Sequence, residues 1–182
     1  MASQVKDGNI LHCFDWKYND IKAELKNIAE AGFTTIQTSP VANSDPLNQW
    51  YGLYLPLAFR CDGNYLGSRS ELQALCAEAD NYGIKVICDV VANHLSGDHN
   101  IIQDDLKDAK YWHTWGGVPD DKWGDRGWVT NGEIGMADLK TEDSYVQQVV
   151  YNYLLDLKSL GVDGFRFDAA KHIGLPSEGD NF

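Results

Sequence analysis

The chain has 182 residues, 43% apolar and 23% charged, ordinary proportions for a globular protein with one good-sized core. Its formal net charge of −12 excludes the basic surface that a phosphate backbone requires, so no nucleic acid is expected as a partner. No apolar run approaches the roughly 20 residues that span a bilayer, so no membrane is expected, and the first nine residues lack the apolar centre of a secretory leader.

In chain order, Asn9–Trp16 predicts a first strand. Asn19 or Asp20 is placed to cap a helix whose apolar positions are Ile21, Leu25, Ile28 and Ala29, with Gly32 just past its end. Thr34–Thr38 predicts a second strand, stopped at Ser39-Pro40 and followed by a loop rich in Asn, Trp and Tyr. Ser68 and Glu71 have capping-box spacing ahead of a helix with Leu72, Leu75, Cys76 and Ala79 on one face, closed by Gly83. Ile84–Val91 predicts a third strand, whose continuous Val86-Ile87-Cys88 suits burial on both faces. Residues 95–140 break this rhythm: they hold Trp112, Trp115, Trp123 and Trp128, many Gly and Asp, and no clear period. Thr141 is placed to cap a helix carrying Val146, Val149, Val150, Tyr153, Leu154 and Leu157, which Gly161 closes. Gly164–Asp168 is the fourth strand, and its period of two sets Phe165 and Phe167 on one face, Arg166 and Asp168 on the other.

Strict alternation of strand and helix predicts a parallel sheet with right-handed crossovers. The polar residues gather at strand C-termini, where a (β/α) barrel carries its site, and a whole barrel needs eight units over about 250 residues. The fold expected is therefore α/β: the first four β/α units of a (β/α)8 TIM-type barrel with a small irregular insert after strand three. Residues 1–94 form units one to three, residues 95–140 the insert, and residues 141–182 the fourth unit, with Phe182 falling short of a natural end. Half a barrel leaves two open sheet edges for the other half, or another chain, to cover. Cys13, Cys61, Cys76 and Cys88 form no C-x-x-C, which speaks against zinc or redox chemistry; Cys76 and Cys88 read as buried small hydrophobes.

The chemistry concentrates in two strand ends. Asp168 closes the fourth strand with Arg166 two residues before it on the same face, an arrangement that orients a carboxylate and keeps it ionised. Asp89, Asn93 and His94 lie at the polar end of the third. A structural Arg–Asp pair accounts equally well for the first of these on chemistry alone. His12, His99 and His113 show no ligand spacing and stay unassigned.

Five segments together carry a resemblance. Asp89–His94 (DVVANH) and Gly164–His172 (GFRFDAAKH) are similar to the strand-three and strand-four motifs of the α-amylase family of glycoside hydrolases, and Gly32–Pro40, Trp50–Pro56 and Met136–Leu139 follow its weaker motifs in the same order. The resemblance implies endo-acting, retaining hydrolysis of α-1,4 bonds in starch-like glucans, with Asp168 as nucleophile through a covalent glycosyl intermediate and Arg166 orienting it. It further implies stacking of glucose rings on Trp50 and Tyr54, a sugar hydroxyl at His94, and contacts on the leaving-group side from Lys171 and His172. Asp89 is implied as a structural acid, while Tyr51 reads as loop packing. Leu55 departs from the glutamine common after the second tyrosine. A structural calcium ion is implied at Asn93, Asp138 and the backbone carbonyl of His172, whose oxygens suit this cation. An extracellular location is implied as well, with a cytoplasmic one open because the chain carries no leader.

The family's general acid belongs to the end of strand five and is not met here. Glu24, Glu30, Glu71 and Glu78 fall on helices, Glu133 in the insert, Glu142 ahead of the fourth-unit helix and Glu178 in the tail. The chain alone is therefore expected to be inactive. A transglycosylase of the same family and a non-catalytic glucan-binding half-barrel are the alternatives. A nucleotide-binding doubly wound sheet is disfavoured, because no G-x-G-x-x-G or Walker loop follows any strand.

Overall fold

The computed structural model describes residue 5 and residues 7–182; part of the segment read for a leader, residues 1–4 and 6, lies outside the described residues. Among the described residues the order is β1 (Ile10–Cys13), α1 (Tyr18–Glu30), β2 (Thr35–Thr38), β3 (Asn43–Ser44), β4 (Pro56–Ala58), α2 (Arg69–Asn81), β5 (Lys85–Val91), α3 (Arg126–Asn131), α4 (Ser144–Ser159) and β6 (Gly164–Asp168). The four long strands make one parallel sheet in the order β1-β2-β5-β6, and β3 with β4 makes a small antiparallel pair in the loop after β2.

The helices cover the sheet as their periodicity requires. Ile21, Leu25 and Ile28 of α1, Leu72, Leu75 and Cys76 of α2, and Val146, Val150 and Leu157 of α4 join Ile36, Val86, Cys88 and Val90 of the strands in one buried cluster. Each such aliphatic side chain stabilises the fold by about 1.5–3 kcal/mol on burial. The strand buried along nearly its whole length is β5, as its nearly continuous apolar run predicted. All four cysteines are buried and free. Among the described residues, no helix is long and apolar enough to cross a membrane.

Capping agrees with the sequence at α2 and departs from it at the other two long helices. The Ser68 hydroxyl accepts from the Glu71 N–H, and the Glu71 carboxylate accepts from the Ser68 N–H. Lys17, with extended backbone and no side-chain bond, precedes α1 instead of Asn19 or Asp20. Asn19 donates to Glu71 at 2.5 Å, and Asp20 lies in the first turn, where its charge favours the positive end of the helix. For α4 the cap is Asp143, which accepts from the N–H groups of Tyr145 and Val146. Thr141 lies two residues too early for that role and donates its hydroxyl to Asp180 at 2.6 Å.

Residues 95–140 are held in single turns (Asp104–Leu106, Ala109–Tyr111, Asp120–Lys122) and the short α3. Arg126 at the start of α3 pairs with the Glu178 carboxylate at 2.8 Å and donates to the carbonyls of Lys171 and Ile173. This segment is thereby tied to the chain that leaves β6.

Candidate active site

Parallel pairing of β5 and β6 sets Asp89 beside Arg166 and Val91 beside Asp168. The alternation read from the sequence then turns the Arg166 guanidinium to both carboxylates. Its Nη1 donates to Asp89 Oδ1 and Oδ2, at 2.9 Å each, and to Asp168 Oδ1 at 2.7 Å. Such charge-assisted contacts are about twice as strong as neutral ones. Asp89 is 1% exposed, whereas the Asp168 side chain keeps 24% of its surface open. The Tyr54 hydroxyl adds a donation to Asp89 Oδ2 at 3.1 Å. Burial pushes the Asp89 carboxyl above the usual carboxylate range, and Arg166 and Tyr54 pull against it without reversing the sign. Directly after Asp168 the chain turns through Ala169, which has φ 51° in the left-handed region, a conformation costly for a residue with a Cβ.

An open cleft of about 480 Å³ lies over these groups, lined by His12, Gln37, Trp50, Tyr54, Asp89, Arg166 and Asp168. Trp50 is half exposed and meets the Tyr54 ring at 6.3 Å between centroids, nearly edge-on. The turn Trp50–Tyr54 buries Gly52 and Leu53 and leaves Trp50 and Tyr51 outward, so Tyr51 is 46% exposed and does not pack in the loop core as its sequence reading expected. Sequence reasoning passed over His12 and Gln37. They are register partners across β1 and β2, and the signal available was a polar residue in the middle of each apolar strand.

Five predicted site residues make their contacts elsewhere. His94 is 1% exposed and its Nε2 lies 3.0 Å from the Tyr54 carbonyl, to which it donates; burial lowers the pKa of the ring. Lys171 Nζ sits 5.3 Å from the centroid of Trp123, outside the cleft lining. His172 is buried, with Nδ1 donating to the Val129 carbonyl of α3 at 2.7 Å. Asn93 and Asp138, both 1% exposed, are joined to each other: the Asn93 amide donates to Asp138 Oδ1 at 2.8 Å.

The remaining oxygen of Asn93, Oδ1, is buried with no hydrogen-bond partner among the described residues, a costly state for an amide oxygen. An unsatisfied oxygen beside a buried carboxylate fits a hard cation. Among the described residues, no group of three or more His, Cys, Asp or Glu side chains converges as a metal site, so a cation here would draw on amide and carbonyl oxygens as well. The carboxylates of the cleft are Asp89 and Asp168. Three of the glutamates are engaged elsewhere: Glu71 in the α2 cap, Glu142 with His113, and Glu178 with Arg126.

Comparison with known proteins follows the same outline. A family model described as the α-amylase catalytic domain matches residues 7–181. The α-amylase of Clostridium acetobutylicum is 40% identical over 183 residues, covering 95% of this chain and 24% of that protein. The α-amylase of Butyrivibrio fibrisolvens is 36% identical over 190 residues, covering 96% of this chain and 19% of that protein. The chain thus spans about a quarter or less of these relatives. Among solved structures, α-amylase I of Eisenia fetida superposes with a TM-score of 0.82 over 91% of this chain and 38% of its own, at 23% identity, a likeness of fold. The parallel α/β sheet is part of a (β/α)8 barrel.

Proposed function

The chain belongs to the α-amylase catalytic-domain family, and from that membership we propose that it supplies the nucleophile half of a retaining, endo-acting hydrolase of α-1,4-glucosidic bonds in starch-like glucans. Within it, residues 1–94 and 141–182 are the first four units of the barrel and residues 95–140 its inserted subdomain. One observation carries the reading: Asp168 ends the last strand of the parallel sheet, is held by Arg166 at 2.7 Å, and opens into a cleft bordered by the exposed indole of Trp50.

Asp168 Oδ2 has no protein partner in the Arg166 contact, so this oxygen is the one to attack the anomeric carbon while Oδ1 stays fixed by the guanidinium. The new C–O bond forms as the glycosidic C–O bond breaks, and the leaving oxygen takes its proton from a second carboxyl acid. That acid belongs to the remaining β/α units of the barrel, supplied by further chain or by another polypeptide across the open sheet edges. Water then hydrolyses the ester with the same acid acting as base. Trp50 and Tyr54 present ring faces to the apolar faces of glucose. Asp89 takes no step; it holds Arg166 and Tyr54 in place. Of the residues proposed for sugar contacts, His94 keeps Nδ1 without a partner, His172 is held through Nδ1, and Lys171 lies over the exposed indole of Trp123.

Calcium would be held by Asn93, Asp138 and the His172 carbonyl, and would supply a structural tie among three distant segments. The orphaned Asn93 Oδ1 supports this assignment.

The test is covalent trapping. A fluorinated glucosyl fluoride, incubated with the whole barrel that contains this chain, is expected to add one glycosyl mass to the peptide bearing Asp168, and Asp168→Asn to remove it. Labelling of a different carboxylate refutes the assignment. Maltoheptaose binding without any label turns the reading to a glucan-binding module.

A further inference from the structure

His113 is 6% exposed at its side chain, and the ring is clamped between carboxylates from two other segments. Nδ1 lies 2.7 Å from Asp138 Oδ2 and Nε2 lies 3.0 Å from Glu142 Oε1. Each ring nitrogen thus meets a carboxylate oxygen at hydrogen-bond distance, so the ring is held at both ends. The backbone repeats the grip, because the His113 N–H donates to the Asp138 carbonyl at 3.0 Å. On the far side Asp138 Oδ1 receives the Asn93 amide, and the Leu139 N–H donates to the Asn93 carbonyl at 2.9 Å. Asp138 is therefore held at both carboxylate oxygens and at its carbonyl, with the orphaned Asn93 Oδ1 next to it.

We propose that His113 is a positioning residue for the cation site at Asn93 and Asp138: it fixes the Asp138 carboxylate in the orientation that a calcium ion meets, and through Glu142 it anchors that orientation to the residues leading into α4. This rests on the calcium reading above. A carboxylate free to rotate must be ordered when the ion binds. Partners that orient a ligand from outside are commonly worth 10–100-fold in metal affinity. A histidine that only ties segments together predicts calcium affinity that does not fall and a lower melting temperature in chelator. The two explanations are thus separable by direction.

The experiment is calorimetric titration of calcium chloride into the chelator-stripped protein, with thermal melts in chelator and in calcium. His113→Ala is expected to weaken calcium binding by roughly 10–100-fold. His113→Asn, whose amide reaches Asp138 in place of Nδ1, is expected to recover a large part of the loss, and it also serves if the alanine variant does not fold. Glu142→Gln, which leaves the donation to Asp138 in place, is expected to change affinity less than His113→Ala. Unchanged or tighter calcium binding in the His113 variants, with a lowered melting temperature in chelator, makes the histidine a plain tertiary tie and overturns the proposal. No calcium binding by the unsubstituted protein overturns the metal reading and the proposal with it.

Discussion

Replacing Arg166 by methionine isolates the buried ion pair on which the site is built. Asp89 is 1% exposed and loses its guanidinium, which lies 2.9 Å from both carboxylate oxygens. Removing one partner of a fully buried pair costs about 3–5 kcal/mol. Here the Arg166 side chain is 45% exposed, so water already screens part of the interaction, and Tyr54 continues to donate. The expected loss is therefore about 2–3 kcal/mol at pH 7, or roughly 5–10 °C in Tm for a chain of this size. The loss depends on pH with a definite sign. Burial holds the folded pKa of Asp89 above its ordinary value of 3.8, and removing Arg166 raises it further. A carboxyl raised in the folded state contributes its full stability below the unfolded pKa and loses it as pH rises through the folded pKa. The deficit of the variant is then absent below about pH 3.8 and grows as pH rises past the raised pKa. Urea denaturation followed by circular dichroism at several pH values measures it, with Asp89→Asn/Arg166→Met as the partner variant. A deficit that is the same at low and neutral pH, or that persists undiminished in the double variant, refutes the assignment of the cost to Asp89.

Trp50→Ala should leave the fold intact, because the ring is half exposed, and should weaken maltoheptaose binding by a factor of about 2–10, or about 0.5–1.5 kcal/mol; fluorescence titration measures it, and unchanged affinity removes Trp50 from the glucan path. Ser68→Ala should destabilise the protein by about 0.5–2 kcal/mol through the start of α2, read as a shifted urea midpoint with an unchanged slope. The thiols of Cys13 and Cys61 are pushed up to about 11 and that of Cys76 to about 12 by burial, and that of Cys88 is raised further. At pH 8 a thiol reagent should find none of the four until the chain unfolds, and rapid labelling of any one contradicts the packing around it.

Much of the architecture was legible because it is written in short range. Periods of two and 3.6 residues mark the parallel strands and the three long helices, and the nearly continuous apolar run of β5 reports burial on both faces. The Ser68–Glu71 box was readable for the same reason, since its partners are three residues apart. Caps failed where several polar residues compete near a helix start: Lys17 precedes α1 with no side-chain bond, and Asp143, not Thr141, is the residue whose carboxylate reaches the first N–H groups of α4. Asp168 and Arg166 were recognisable as a pair two residues apart, and the motifs around them pointed to the family to which the chain belongs.

Tertiary structure decided which groups share a carboxylate or a ring. Arg166 meets Asp89 across 77 positions, a contact set by the register of β5 on β6, and His12 reaches the cleft with Gln37 through the register of β1 on β2. The orientation of Lys171 and His172 toward Trp123 and Val129 depends on how residues 95–140 dock, and so does the clamp of His113 on Asp138 and Glu142. Those residues carry no periodic pattern, so their sequence holds no local constraint from which the docking follows. The sequence alone determined the alternation of the long strands and helices and the chemistry of the residues at the strand ends; strand register and the packing of the irregular segment decided which of them meet.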